Sequence, residues 1–218
     1  MRPGEPELRA GLDALQLSLN DIQRGQLLDY LELIAKWTQV YNLTAVRDPS
    51  EMLTHHVLDS LAAIPPLRRH LAEAGLSQAR LLDVGSGAGL PGVVMAICCP
   101  ELAVSCVDTV AKKAAFIRQA ALSLKLPNLA GLHARVENLN QPFDVICSRA
   151  FASLPDFTLW SAGSLAPGGV WLAMKGKYPA DEISALPAPV EVFHVEQLLV
   201  PGLNAERCIV WMRQKALA

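Results

Sequence analysis

The sequence predicts an α/β fold: a mostly parallel, doubly wound sheet with an antiparallel last strand, preceded by a helical extension. Three observations point there. The first 75 or so residues carry apolar side chains at helical spacing. From Arg80 onward, short apolar runs of strand length alternate with runs of helix length. A turn with Gly85, Gly87 and Gly89 joins the first such strand to the first such helix.

In residues 21–39, Leu27, Leu28, Leu31, Ile34 and Ala35 form one apolar helix face. Asp48, Pro49 and Glu51 read as N-cap, first helical position and third position of a second helix. That helix should run through Leu53, Val57, Leu58 and Leu61 and stop near Ile64, before Pro65 and Pro66. A short helix over 68–74 should end at Gly75. The expected strands are 80–84, 102–107, 129–134, 143–147 and 170–174, with helices over 91–99, 111–125 and 153–165 between them. Pro167, Gly168 and Gly169 read as a turn. Strands over 190–200 and 207–212 lack a helix-length connection, so they can pair antiparallel around 201–204. The expected division is a helical extension over 1–78 and a sheet unit over 79–218, forming one compact body.

With 218 residues, 51% hydrophobic and 18% charged, the chain can bury one large core, and disorder is not expected. No apolar run is long enough for a bilayer, and residues 1–7 lack an export pattern, so a cytoplasmic protein is expected. The 5 cysteines fit neither a zinc site nor a CxxC pair and read as small buried hydrophobes. A net charge of −2 does not announce a nucleic-acid binder, so any RNA contact needs a local basic patch.

Glycines after the first strand let the backbone turn sharply and approach a ligand. Gly87, Gly89 and Gly92 match the dinucleotide pattern G-x-G-x-x-G literally. Gly85, Gly87 and Gly89, in register with the strand end, match the G-x-G-x-G of class I methyltransferases instead. Asp83 favours the second reading. It can reach the cationic methionine end of S-adenosyl-L-methionine (AdoMet), directly or through water, whereas it would repel a pyrophosphate. AdoMet is therefore the expected cofactor and the class I AdoMet-dependent, Rossmann-like methyltransferase fold the expected class. Asp108 ends the second strand, where a carboxylate can accept both ribose hydroxyls or cap the helix that begins near Ala111. Val136 and Glu137 follow the third strand, near where an adenine would lie, or Glu137 is simply exposed.

The acceptor is read from absences. The fourth strand ends in Cys147, Ser148, Arg149, Ala150 and Phe151, without the [DN]-P-P-[YF] tetrapeptide of exocyclic-amine enzymes. No Pro-Cys nucleophile of the pyrimidine C5 type occurs. Guanine N7 fits, because its lone pair is free in the neutral base and no proton has to leave. Positioning and desolvation then replace a general base, and no residue is expected to be catalytic in the proton-transfer sense. His55 and His56 can serve phosphate or the fold. No metal is expected.

The chain resembles the RsmG (GidB) family, which makes 7-methylguanosine in bacterial small-subunit ribosomal RNA. The resembling stretches are 41–49 (YNLTAVRDP), 56–60 (HVLDS), 82–92 (LDVGSGAGLPG), 148–153 (SRAFAS) and 200–203 (VPGL) with Glu206 and Arg207. The resemblance implies AdoMet contacts at Gly85, Leu90, Val136, Glu137 and Arg149, with Asp108 on the ribose. Arg149 can instead form a structural salt bridge with an Asp or Glu at the sheet edge, or touch cofactor and RNA at the site mouth. It implies 16S rRNA, or a small-subunit precursor, as partner. Ser86 and Ala88 stand where the family often has Thr and Pro; both are small enough to leave the loop intact. Arg47, Lys112, Lys113, Arg118, Arg135, Lys175 and Lys177 are the expected RNA surface. Phe151 is either a stacking platform for the guanine or a core aromatic. A monomer is expected. Two other readings remain open on sequence: a small-molecule methyltransferase, and a nicotinamide-dependent oxidoreductase using the literal G-x-G-x-x-G.

Overall fold

A computed structural model describes residues 2–41, 43, 44, 46 and 48–215, apart from the side chains of Pro49 and Ser50. Arg47 lies outside the described residues, as do Asn42 and Ala45 of the resembling stretch 41–49. The N-terminal part is helical: α1 (Glu5–Ala14), α2 (Asp21–Tyr41), α3 (Pro49–Met52), a π-helical stretch (Leu53–Leu58), α4 (Asp59–Leu61) and α5 (Ile64–Glu73). Asp48 precedes α3 as its carbonyl accepts from Met52 N–H at 2.8 Å.

Two expectations change here. The helix through Leu61 does stop before Ile64, but the prolines at 65 and 66 occupy the first turn of α5, which begins at Ile64 instead of 68. A first turn has no partner for its N–H groups, so proline costs nothing there. The second helix is also not uniform, because Leu53–Leu58 widens to π geometry between α3 and α4.

The rest of the chain builds a seven-stranded sheet in the order β3-β2-β1-β4-β5-β7-β6. The strands are β1 (Arg80–Val84), β2 (Ala103–Asp108), β3 (Leu129–His133), β4 (Phe143–Arg149), β5 (Leu165–Lys175), β6 (Val190–Gln197) and β7 (Cys208–Gln214). Pairing is parallel from β3 through β5, and β7 runs antiparallel to both β5 and β6. Helices α6 (Gly92–Cys98), α7 (Ala111–Ser123), α8 (Leu154–Ser161) and α9 (Ala180–Ser184) fill the connections, α9 unforeseen. The turn expected at 167–169 is absorbed into β5. Phe143 pairs with Leu165 but Val145 with Val170, so the extra residues bulge out, and Gly168 takes φ +75° to allow it.

Chain order reverses between β1 and β4, the place where an open α/β sheet leaves a crevice at its carboxyl edge. One apolar cluster runs from Leu8 and Tyr30 of the N-terminal helices through residues 93–98 of α6 to Trp211 of β7. A second cluster, around Phe143, Phe157 and Trp171, lies on the opposite face. Among the described residues, no helix is long and apolar enough to cross a membrane.

Candidate active site

The glycine loop is fixed from three sides. Gly85 N–H and Ser86 N–H donate to Val107 O at the end of β2 (2.9 and 3.2 Å). Gly92 N–H donates to Asp83 Oδ2 at 2.8 Å. Tyr30 of α2 donates its hydroxyl to Ala88 O at 2.5 Å. Gly85 has φ +65°, and a Cβ on it would stand 2.1 Å from Phe151 Cδ2. Only glycine fits both the conformation and that contact.

A cavity of about 320 Å³ opens at the carboxyl ends of β1, β2 and β4. Gly85, Asp108, Val136, Glu137, Lys113 and Phe151 are among its walls. Asp108 is buried at the end of β2. Its oxygens accept from Gly87 N–H (3.1 Å) and Val110 N–H (2.8 Å), and Lys113 Nζ stands 3.7 Å away. Each carboxylate oxygen has two lone-pair sites, so Asp108 keeps acceptor capacity beyond these bonds. Val136 is buried in a 3-10 turn (Val136–Asn138), and half-exposed Glu137 has Arg135 Nε at 3.7 Å. Phe151 packs edge-on to Trp160, with ring centroids 5.8 Å apart.

The structure thus brings Gly85, Asp108, Val136, Glu137 and Phe151 to one cavity. Asp83, Gly87, Gly89 and Leu90 are not among its walls. Asp83 is fully buried beneath the loop, and Oδ1 has no hydrogen-bond partner among the described residues. Burial pushes its carboxyl up to about 7, against the pull of the Gly92 N–H and the Arg149 charge. In this geometry Asp83 braces the loop from below.

Arg149 turns the other way. Its Nη1 donates to Asp59 Oδ2 (2.7 Å) and to His55 O (2.8 Å), in a second cavity of about 410 Å³. Arg207 Nε donates to the other oxygen of the same Asp59 at 2.8 Å. Asp59 and Arg207 were given no role from sequence beyond lying in resembling stretches; nothing local marks a pair 148 residues apart. Tyr30 was missed as well, since its spacing from Leu27 reads only as core. His56 is buried with Nε2 2.8 Å from Thr44 Oγ1. Burial first, then the Arg149 charge, lowers its pKa to about 4, so it is neutral near pH 7 and offers phosphate no charge.

The expected RNA cations are scattered. Lys113 stands at the first cavity, Lys112 lies over the Tyr41 ring (5.2 Å), and exposed Arg118 donates to Gly131 O at 3.2 Å. Lys175 lines the second cavity and is held by Glu182 (2.7 Å) and Ala152 O (3.0 Å). Arg135 and Lys177 are exposed.

The profile of a family described as "GidB: rRNA small subunit methyltransferase G" matches residues 23–210. A "Ribosomal RNA small subunit methyltransferase G" from Polaromonas sp. strain JS666 is 75% identical, over 100% of this chain and 97% of that protein. One of the same name from Acidovorax sp. strain JS42 is 69% identical over 97% and 96%. Among solved structures, the N-methyltransferase NodS from Bradyrhizobium japonicum, in complex with S-adenosyl-L-homocysteine, is similar in fold. Its TM-score is 0.60 at 14% identity, over 84% of this chain and 100% of NodS. TrmN from Thermus thermophilus gives 0.54 at 21% identity, over 75% and 53%.

Proposed function

Because this chain belongs to the GidB family, rRNA small subunit methyltransferase G, and is thereby a methyltransferase acting on rRNA, we propose that it transfers the methyl group of AdoMet to N7 of a guanosine in 16S rRNA. The observation that carries the cofactor is the first cavity, where Asp108 and the backbone of Gly85 converge at the sheet's switch point. The residues fit the group. Asp108 retains lone pairs for a ribose diol, Gly85 leaves room that a side chain would fill, and Val136 offers an apolar surface for a purine beside Glu137. The solved relative in fold, NodS, carries the demethylated form of this cofactor.

AdoMet held against Asp108, Gly85 and Val136 would supply a methyl group on a positively charged sulfur to the free N7 lone pair, the bond electrons staying with sulfur. No proton leaves, so no base is required. The residues near the second cavity agree with that economy. Asp59 is committed to two guanidinium groups, and His56, its pKa lowered to about 4 by burial and the Arg149 charge, is a weak base. The protein's contribution is to hold donor and acceptor in line and exclude water. The test is incubation of undermethylated small subunits, or their naked RNA, with methyl-labelled AdoMet, followed by mapping of the base. Label at one guanosine, released as 7-methylguanine, is expected. Label on another atom overturns the N7 assignment, and calorimetry showing NAD but not AdoMet binding overturns the cofactor.

A further inference from the structure

The second cavity lies between the N-terminal helices and the sheet. His56 and Asp59 come from the helices; Arg149, Met174, Lys175 and Arg207 come from the strand ends. It shares Ala150 with the first cavity. We propose that this second cavity receives the target nucleotide of the RNA, with Arg207 gripping its phosphate and Asp59 positioning Arg207 and Arg149. The inference rests on the first cavity being the AdoMet site.

Adjacency is the first argument. Methyl transfer brings the reacting atoms to roughly 3–3.5 Å, so the acceptor cavity has to abut the donor cavity. Ala150 is the common lip, and its φ of +52° turns the chain there with only a methyl side chain in the way. At about 410 Å³ the second cavity falls in the range of roughly 300–1,000 Å³ typical of small-molecule sites.

Charge is the second. The first cavity balances Lys113 and Arg135 against Asp108 and Glu137. A third cavity, against α1, α2 and the π-helical stretch, is lined among the described residues by Glu7 and Glu32 and no cation. Among the described residues, the second is walled by Arg149, Arg207 and Lys175 with Asp59 as its one acid; Lys175 is paired with Glu182 outside the lining, so the two arginines on one carboxylate carry the excess charge. An anionic nucleotide is favoured there and disfavoured at the third.

The geometry of the arginines is the third. One guanidinium would compensate the buried Asp59; two leave an excess positive charge. Arg207 donates from Nε to Asp59 and from Nη1 to Glu206 O. A guanidinium has five N–H donors, so three remain to grip a phosphate. The contact to Asp59 fixes its orientation beforehand, which makes Asp59 a positioning residue.

The experiment compares wild type with Arg207→Gln, Arg207→Lys and Gly176→Phe. Gly176 lines the cavity, and a Cβ there meets only Glu206 O, at 3.9 Å, so a side chain can start there in ordinary contact; an unchanged melting temperature checks that the variant folds. AdoMet affinity is measured by calorimetry, and the KM for small-subunit RNA at several salt concentrations. Arg207→Gln should keep AdoMet affinity within about twofold and raise the RNA KM roughly tenfold. It should also flatten the dependence of log KM on log salt by about 0.7–0.9, the loss of one phosphate contact. Arg207→Lys keeps the charge and should keep the slope, with an intermediate KM. Gly176→Phe should slow methylation at least about tenfold with unchanged AdoMet affinity. An unchanged KM and slope in Arg207→Gln, loss of its AdoMet binding, or wild-type turnover in Gly176→Phe overturns the inference. Wild type that binds no AdoMet overturns the reading of the first cavity instead, and this inference with it.

Discussion

Asp83 and His56 are both buried, and both have displaced proton affinities, in directions that tilt stability oppositely with pH. Burial raises Asp83 from 3.8 to about 7, opposed by Gly92 N–H and Arg149 and assisted by Asp108. The folded state therefore holds a proton that the unfolded chain releases. This stability is complete below pH 3.8 and is lost as pH rises through about 7. Burial first, then the Arg149 charge, lowers His56 from 6.5 to about 4, against the backbone hydrogen bond at His55 and the Asp59 charge. Its contribution is complete above pH 6.5 and is lost as pH falls through about 4. Thermal unfolding between pH 4 and 8 separates the two. Relative to wild type, Asp83→Asn should gain melting temperature toward pH 8, and His56→Gln should gain it toward pH 4. Parallel curves for either variant would contradict the assignment. Gly85 is the residue-scale test of the loop. Valine there meets Phe151 and a left-handed φ together, and should weaken AdoMet binding at least about tenfold, a loss of about 1.4 kcal/mol or more. Unchanged calorimetric affinity would remove Gly85 from the cofactor site.

At the scale of elements, α7 and β3 approach so closely that Gly131 has no room for a side chain. A Cβ would stand 2.8 Å from Ala114 O and 3.1 Å from Arg118 N, both backbone atoms of α7. Backbone cannot rotate aside as a side chain can, so Gly131→Ala should destabilise the protein by about 1–3 kcal/mol. Urea unfolding reads this; wild-type stability would mean that α7 slides freely. Gly131 had no signal in sequence, because a glycine in a strand looks the same whether a helix presses on it or not. The strand and helix alternation from Arg80 was legible, since the hydrophobic period itself changes between the two. Where local signals have two meanings, it was not. Pro65 and Pro66 fit a helix end and a first turn equally, and only the break at Ala62 and Ala63 decides. Gly168 and Gly169 fit a turn and a bulge equally, and the pairing of β4 with β5 decides. The π-helical stretch leaves no periodic trace in six residues, yet it leads directly into Asp59.

For the whole molecule, the acids and glycines at the strand ends were legible because the crevice of this sheet is set by topology. What joins the N-terminal helices to it was not. The destination of Arg149 depends on Asp59, 90 residues earlier. The same dependence governs stability. All seven residues of α6 are buried, which an outer helix of a free-standing sheet would not show. One side of α6 faces β2 and the other is covered by α2 and α4, while Gln23 donates to Ile97 O (2.8 Å) near its end. Gln26 reaches Leu124 O (2.7 Å) after α7, and Tyr30 holds the glycine loop through Ala88 O. Removing residues 1–78 would uncover α6, leave Arg149 and Arg207 without their shared carboxylate, and release one anchor of the loop. We therefore propose that the two parts fold as one cooperative unit. A fragment of residues 79–218 should show no cooperative thermal transition, should bind a hydrophobic dye, and should fail to bind AdoMet. A fragment that melts sharply and binds AdoMet with the affinity of the full chain would make the helices an appendage to a self-sufficient domain. Their part would then shrink to the acceptor side, because Asp59 would still be missing from the second cavity while the first stood complete.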